Sequence, residues 1–354
     1  MEGLVNMRSF WQDKKVFVTG HTGFKGGWLS FWLWSMGAQV CGYALAPKTK
    51  PNFFEALNLG SLFESNIGDI RDEAALRRVM LSFKPEIVFH LAAQPLVRQS
   101  YDDPIETFQT NVMGTVNLLE TVRAQPSTRA VVNITTDKCY KNLEWVWPYR
   151  ESDPLGGHDP YASSKACSEL VAESYRQSFF KRLNIGIATA RAGNVIGGGD
   201  WSEDRLIPDV IRAINGGETL VIRSPNALRP WQHVIDPLGG YLKLAEKLYQ
   251  FPQEYSSAWN FGPTVNSELT VQQIIDKILS AGVGLKVEIL RDDSKHEATL
   301  LKLDSSKAIS KLNWHPAWSI DHALGKTLDW YDAKDRGEEL RDFSLNQINA
   351  AYPS

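Results

Sequence analysis

The chain predicts an α/β fold: a doubly wound parallel sheet, with a smaller mixed α/β domain built from its C-terminal part. Three observations predict it. Short apolar runs alternate with helix-length segments through the first 190 residues, which is how βαβ units read in sequence. The first run ends in a glycine-rich turn that opens a helix. Polar residues able to do chemistry sit where the later runs end, and ligands in such sheets bind beyond the carboxyl ends of the strands.

Taken in order, residues 1–13 read as a loosely attached leader. Lys15-Val16-Phe17-Val18-Thr19 is a buried-strand run, and Gly20 to Gly26 is the turn. Gly27 to Met36 reads as a helix closed by Gly37, and Gln39 to Tyr43 as the second strand. The stretch Pro47 to Gly60 is irregular. Asn66 to Ile70 is a third strand carrying Asp69, followed by a helix over 72–83 with Asp72 as N-cap. Glu86 to Ala93 is the fourth strand, 104–123 a long helix, and Ala130 to Thr135 the fifth strand, delivering Thr136-Asp137-Lys138 at its end. A helix follows from Tyr161 to about Lys181, then a sixth strand over 185–190. Beyond Arg191 the alternation stops. Gly197-Gly198-Gly199 reads as a hinge, 206–214 as a helix and 219–222 as a strand.

With 354 residues, 43% of them hydrophobic, the chain is long enough for a large core. A net charge of -3 with scattered cations argues against nucleic acid and membrane partners. No apolar run is long enough for a signal peptide or a span. Cys41, Cys139 and Cys167 form no CxxC pair. Neither a zinc site nor a disulfide framework is expected, and a reducing cytoplasm is. His296-Glu297 lacks metal-ligand spacing, and His90 inside a strand reads as a satisfied core histidine.

Gly20-x-x-Gly23-x-x-Gly26 stands between a strand and a helix, so its backbone can approach a pyrophosphate at the helix N-terminus. A dinucleotide is the expected ligand. The second strand ends Gly42-Tyr43-Ala44-Leu45, without the acid that would hold ribose hydroxyls, and without an arginine pair for a 2'-phosphate. Lys48 and Lys50 lie nearby, and NAD is favoured over NADP. Asp69 reads either as an acceptor for the adenine amino group or as a helix cap. Tyr161 and Lys165 are one helical turn apart. A lysine and an oxidised nicotinamide would together favour the tyrosinate, letting Tyr161 take a proton from a sugar hydroxyl that Thr136 also binds. Gln94 and Arg98 follow the fourth strand and are placed to face a pyrophosphate or sugar.

These motifs, with Asp69-Ile70, His90-Leu91-Ala92-Ala93, Asn111-Val112-x-Gly114-Thr115 and Arg191-x-x-Asn194-Val195, resemble the extended short-chain dehydrogenase/reductases over roughly the first 200 residues. Arg229-Pro230-Trp231-x-x-Val234-x-Asp236 resembles that family's substrate-side motif. Gly23-Phe24-Lys25-Gly26-Gly27-Trp28, Thr136-Asp137-Lys138-Cys139-Tyr140 and Gly156-Gly157-His158-Asp159-Pro160-Tyr161 are similar to the nucleotide-sugar 4,6-dehydratases, and within them to the branch acting on CDP-glucose. The resemblance implies a Rossmann-type NAD domain over 1–190 and a mainly nucleotide-sugar-binding domain over 191–354, with the chain free to cross between them. It implies NAD contacts from Gly20, His21, Thr22, Gly23, Phe24, Lys25, Asp69, Ile70, Leu91, Ala92, Ala93, Thr135, Tyr161 and Lys165. Gln94, Asn194, Arg205, Arg229 and His233 are the candidates for CDP-glucose, and no metal is implied.

The implied reaction oxidises C4 of the hexose, loses water across C5 and C6, and returns the hydride to C6. Thr136, Asp137, Lys138, Tyr161 and Lys165 are its implied catalytic set. Asp137, if protonated, would be the general acid for water loss. Relatives acting on dTDP-glucose have a glutamate base where Lys138 stands. Lys138 is therefore either a partly neutral base at C5 or an electrostatic stabiliser of the enolate. A homodimer or homotetramer and a place in deoxysugar biosynthesis for lipopolysaccharide O-antigen complete the expectation. A nucleotide-sugar 4-epimerase, a dehydratase for another nucleotide hexose and a non-enzymatic NAD-binding scaffold are the alternatives. Asp137-Lys138 argues for dehydration over epimerisation, and the intact Tyr161 and Lys165 argue against a scaffold.

Overall fold

The computed structural model describes residues 7–264, 267–280, 282, 284–290 and 300–353. His296 and Glu297 lie outside them. The centre is a seven-stranded parallel sheet of β1 (Lys15–Thr19), β2 (Gln39–Ala44), β3 (Glu64–Ile67), β4 (Ile87–His90), β5 (Ala130–Ile134), β6 (Gly186–Ala192) and β7 (Ala258–Phe261). Its order is β7-β6-β5-β4-β1-β2-β3. The direction of winding reverses between β1 and β4, where a crevice opens at the carboxyl ends of the strands.

The strands are apolar throughout because both faces are covered. Val16 and Val18 point into one core and Phe17 into the other; Ala130 and Val132 likewise oppose Val131. One face is closed by α1 (Phe24–Ser35), the other by α2 (Glu73–Phe83), α3 (Gly114–Arg123) and α4 (Pro160–Tyr175). The sequence behind the ends is legible: Asp72 caps α2 by accepting from the Ala75 amide at 3.0 Å, and Asp159 caps α4 from the Ala162 amide at 2.8 Å, with Pro160 next. The latter pair fixes the start of the helix that carries Tyr161 and Lys165. A further helix, α5 (Leu206–Gly216), borders the crevice. After it the chain returns to the sheet: α6 (Ile235–Gln250) packs on β5 and β6, and β7 pairs with β6.

Several boundaries differ from the sequence reading. The described end of the leader is a short helix, Met7–Trp11, whose Trp11 is fully buried against Phe89. The third strand lies earlier, over Glu64–Ile67. Gly68 follows it where a Cβ would meet the Tyr43 ring at 2.5 Å, and Asp69 opens a turn instead of closing the strand. Gly197-Gly198-Gly199 is not a hinge. All three are buried, and Cβ atoms there would strike Val234, Trp330 and Phe53 at 2.8, 2.0 and 2.4 Å. Those glycines let the segment pack tightly between aromatic rings.

Candidate active site

The crevice is a cavity of about 750 Å³. The glycine turn, the loops after β2, β3 and β4, the turn after β5, the first turn of α4, and the segments around Asn194, Arg205 and Arg229 line it. The structure thus brings Gly20, Thr22, Gly23, Phe24, Lys25, Asp69, Ile70, Leu91, Ala92, Ala93, Thr135, Thr136, Asp137, Lys138, Tyr161, Lys165, Asn194, Arg205 and Arg229 to one wall or another of it, and Arg98 as well.

At the turn, Gly20 has φ +78, and a Cβ there would sit 2.7 Å from the Ala92 amide nitrogen. A Cβ on Gly26 would sit 2.0 Å from the Gly20 carbonyl oxygen. The turn is therefore shut against the loop after β4, and α1 presents its N-terminus to the cavity, a cradle for a diphosphate. Of the residues expected at the cofactor, His21 does not face it. Its ring is fully buried, accepts or donates a 2.7 Å bond with Ser65 Oγ, and fills the space that a Cβ on Gly42 would need. Asp69 borders the cavity, but its carboxylate is held by the amide and guanidinium of Arg71 at 2.9 Å. Those bonds hold it below the usual carboxylate range.

Thr136, Asp137 and Lys138 stand on the single turn Asp137–Cys139 beyond β5, which Thr136 caps. The Thr136 hydroxyl donates to Asp137 Oδ1 at 2.9 Å and accepts from the Lys138 amide at 3.3 Å. Burial raises the Asp137 pKa, opposed by Lys138, the Thr136 bond, Arg229 and Lys25. The Tyr161 phenol is raised to about 12 by burial. The Thr136 hydroxyl beside it and the charge of Arg205 oppose that, while Asp137 adds to it. Among the protein groups desolvation dominates the phenol, so favouring the tyrosinate falls to the oxidised nicotinamide that the expectation pairs with Lys165. Lys165 donates to the Ile134 carbonyl at 3.1 Å, and burial brings it down to about 8. Lys25 falls to about 8 as well, by burial first and by Arg205 second.

On the opposite wall, Arg205 donates to Asp200 Oδ2 at 3.0 Å, and Arg229 to the Leu228 carbonyl at 3.0 Å. Lys25, Lys138, Arg205 and Arg229 thus converge around Asp137 and Tyr161, an environment suited to a diphosphate. Two expected substrate residues are placed elsewhere. Gln94 is buried and spends its amide on Leu96 and Thr107. His233 is fully buried between Trp28 and Trp318. His90 bonds Thr19 at 2.7 Å and Thr115 at 3.2 Å inside the core. The sequence reading missed Asp200, which anchors Arg205, and Glu169, whose place one helical turn after Lys165 was the available signal.

The chain matches the model of the GDP-mannose 4,6 dehydratase family over residues 17–327. It is 53% identical to a CDP-glucose 4,6-dehydratase of Salmonella typhimurium, covering 97% of each chain. A dTDP-glucose 4,6-dehydratase of Xanthomonas campestris pv. campestris is 28% identical, over 89% of this chain and 92% of that one. Among solved structures, the dTDP-glucose 4,6-dehydratase DesIV of Streptomyces venezuelae, with NAD bound, superposes with a TM-score of 0.78 at 25% identity, covering 92% of this chain and 99% of its own.

Proposed function

The chain belongs to the GDP-mannose 4,6 dehydratase family, and on that premise we infer that it is an NAD-dependent lyase that converts CDP-glucose to CDP-4-dehydro-6-deoxyglucose. One observation carries the chemistry. A tyrosine and a buried carboxyl group meet the same threonine, so a base for an alcohol and an acid for a leaving hydroxyl share one wall.

The glycine cradle, closed to any Cβ at Gly20 and Gly26, fits a dinucleotide diphosphate. NAD held there would supply the hydride acceptor for C4 of the hexose and the hydride donor for C6. Tyr161 takes the proton of the C4 hydroxyl, and Thr136 holds that oxygen. Lys165 steadies the tyrosinate as a cation one turn away. With C4 a ketone, the C5 proton is acidic; Lys138, as its neutral amine, takes it and gives it back to C5 once the hydride has returned to C6. Asp137 then gives its proton to the departing C6 hydroxyl, which its raised pKa equips it to do. Arg205, Arg229 and Asn194 hold the CDP moiety, the two guanidinium forks on the diphosphate. In this reading residues 1–190 mainly serve the cofactor and residues 191–354 mainly the nucleotide sugar. Gln94 and His233 serve packing.

The same reading extends to assembly and setting. Ile105, Phe108 and Met113 on the helical stretch leading into α3, and Leu170 on α4, are exposed apolar side chains on helices that pack together. They suit a homodimer that joins these helices with those of a second copy. No described helix is long and apolar enough to cross a membrane. We propose separately that the reaction runs in the cytoplasm and supplies deoxysugars for lipopolysaccharide O-antigen.

The test is incubation with CDP-, dTDP-, UDP- and GDP-glucose followed by mass analysis. Loss of one water from CDP-glucose is expected, and Tyr161→Phe is expected to abolish it. Turnover of a non-cytidine donor alone, or intact turnover by Tyr161→Phe, would contradict the reading.

A further inference from the structure

Behind the strand end that carries Thr136 and Asp137, two charges are buried together. Glu169 on α4 and Arg191 on β6 are 4% and 3% exposed. They are joined twice, Nε to Oε1 at 2.9 Å and Nη2 to Oε2 at 2.7 Å. Glu169 also accepts from the hydroxyls of Thr135 at 2.5 Å and Thr189 at 2.6 Å. Arg191 Nη1 donates to the Tyr140 hydroxyl at 2.8 Å, and that hydroxyl donates to Asn260 Oδ1 at 2.7 Å. The guanidinium lies over the Tyr140 ring, 4.8 Å from its centre. The pair therefore grips the turn at both ends: at Thr135, just before Thr136, and at Tyr140, just after Asp137–Cys139. A buried ion pair adds little stability over an apolar filling, so its retention needs another reason. Here its extra bonds run to the turn that carries the proposed chemistry.

We propose that Glu169 and Arg191 are a positioning pair for the dehydration: they fix the turn bearing Thr136, Asp137 and Lys138, and Glu169 sets a negative charge one helical turn beyond Lys165, on the helix of Tyr161. The proposal rests on the assignment of Tyr161 and Lys165 above. On its own helix Lys165 has Tyr161 one turn before it and Glu169 one turn after it, and it is faced by Cys139 from the turn after β5, by His90 from β4 and by Lys25 from α1. Burial works against its positive charge and Glu169 works for it. Without the Glu169 charge, burial and the neighbouring Lys25 are left acting against the ammonium, and its proton is lost at lower pH.

The experiment uses the full chain loaded with NAD, and compares Glu169→Gln and the double variant Glu169→Gln/Arg191→Met with the wild type. The double variant leaves no buried unpaired charge and so guards against a single variant that does not fold. Thermal midpoints are taken first, and kcat and KM are then measured across neutral and alkaline pH at a temperature where each variant is folded. Glu169→Gln is expected to move the alkaline limb of kcat down by about one pH unit or more. Both variants are expected to lower kcat at least tenfold with KM little changed, since the substrate contacts remain. A folded Glu169→Gln with the wild-type limb and kcat overturns the proposal. If Glu169→Gln does not fold, a double variant with wild-type kcat overturns it. A wild type that turns over a different nucleotide hexose contradicts the substrate assignment instead, and the same comparison is then made with that hexose.

Discussion

Thr136 donates to one carboxylate oxygen of Asp137 at 2.9 Å, while the other oxygen, Oδ2, is buried without a hydrogen-bond partner among the described residues. An ionised carboxylate would pay heavily for that second oxygen; a protonated one places its O–H there and faces the cavity with a proton to give. Asp137→Asn keeps the shape and removes the proton. Oxidation at C4 should persist within about tenfold, with reduced cofactor appearing on mixing. Water loss should fall by about 10²–10⁴-fold. Stopped-flow absorbance and product mass separate the two steps.

Lys138 is the proposed base at C5. Lys138→Ala should stop incorporation of solvent deuterium at C5 and lower turnover by about 10²-fold or more, read by mass analysis in heavy water. Lys138→Arg should not restore it, because a guanidinium stays protonated and cannot accept the C5 proton. Restoration by arginine would assign the residue to electrostatic stabilisation instead.

The glycine turn discriminates between two of its own positions. A Cβ on Gly26 meets the Gly20 carbonyl at 2.0 Å, whereas one on Gly23 meets the same atom at 3.4 Å. Gly26→Ala must open the turn, at about 1–3 kcal/mol, so NAD affinity should fall by about ten- to a hundredfold in calorimetry. Gly23→Ala meets no such protein clash, so its thermal midpoint should stay near wild type, and a loss of NAD affinity there would report the Cβ against the diphosphate.

Asp236 on α6 gives a pH signature. It is 1% exposed and accepts from the Ala317 amide at 2.7 Å. Burial raises it to about 7, with that backbone bond acting in the opposite sense. A carboxyl raised on folding contributes stability that is fully present below its unfolded pKa, near 4, and is lost as pH rises through about 7. Asp236→Asn should flatten the fall in urea midpoint over that range, leaving its difference from wild type smallest in acid.

What could be read from sequence followed the locality of the signal. Tyr161 and Lys165 are a helical pair with their cap, Asp159-Pro160, immediately before them, and the strands announce themselves by apolar runs that both faces bury. The errors involve partners far along the chain. His21 is claimed by Ser65 and by the space over Gly42, and Gly198 and Gly199 by Trp330 and Phe53; neither neighbourhood is visible locally. Gln94 looked like a ligand because it follows a strand, yet Thr107 and Leu96 already satisfy it. The desolvation that raises the Tyr161 phenol is a property of the folded site and has no signal in the local sequence.

In the proposed reaction one hydride leaves C4 and returns to C6 while a water is lost. Incubating the NAD-loaded protein with CDP-glucose deuterated at C4 tests it directly. The expected product is lighter by one water, with the deuterium in its C6 methyl group. A product of unchanged mass, inverted at C4 and still carrying deuterium there, would contradict it and indicate epimerisation.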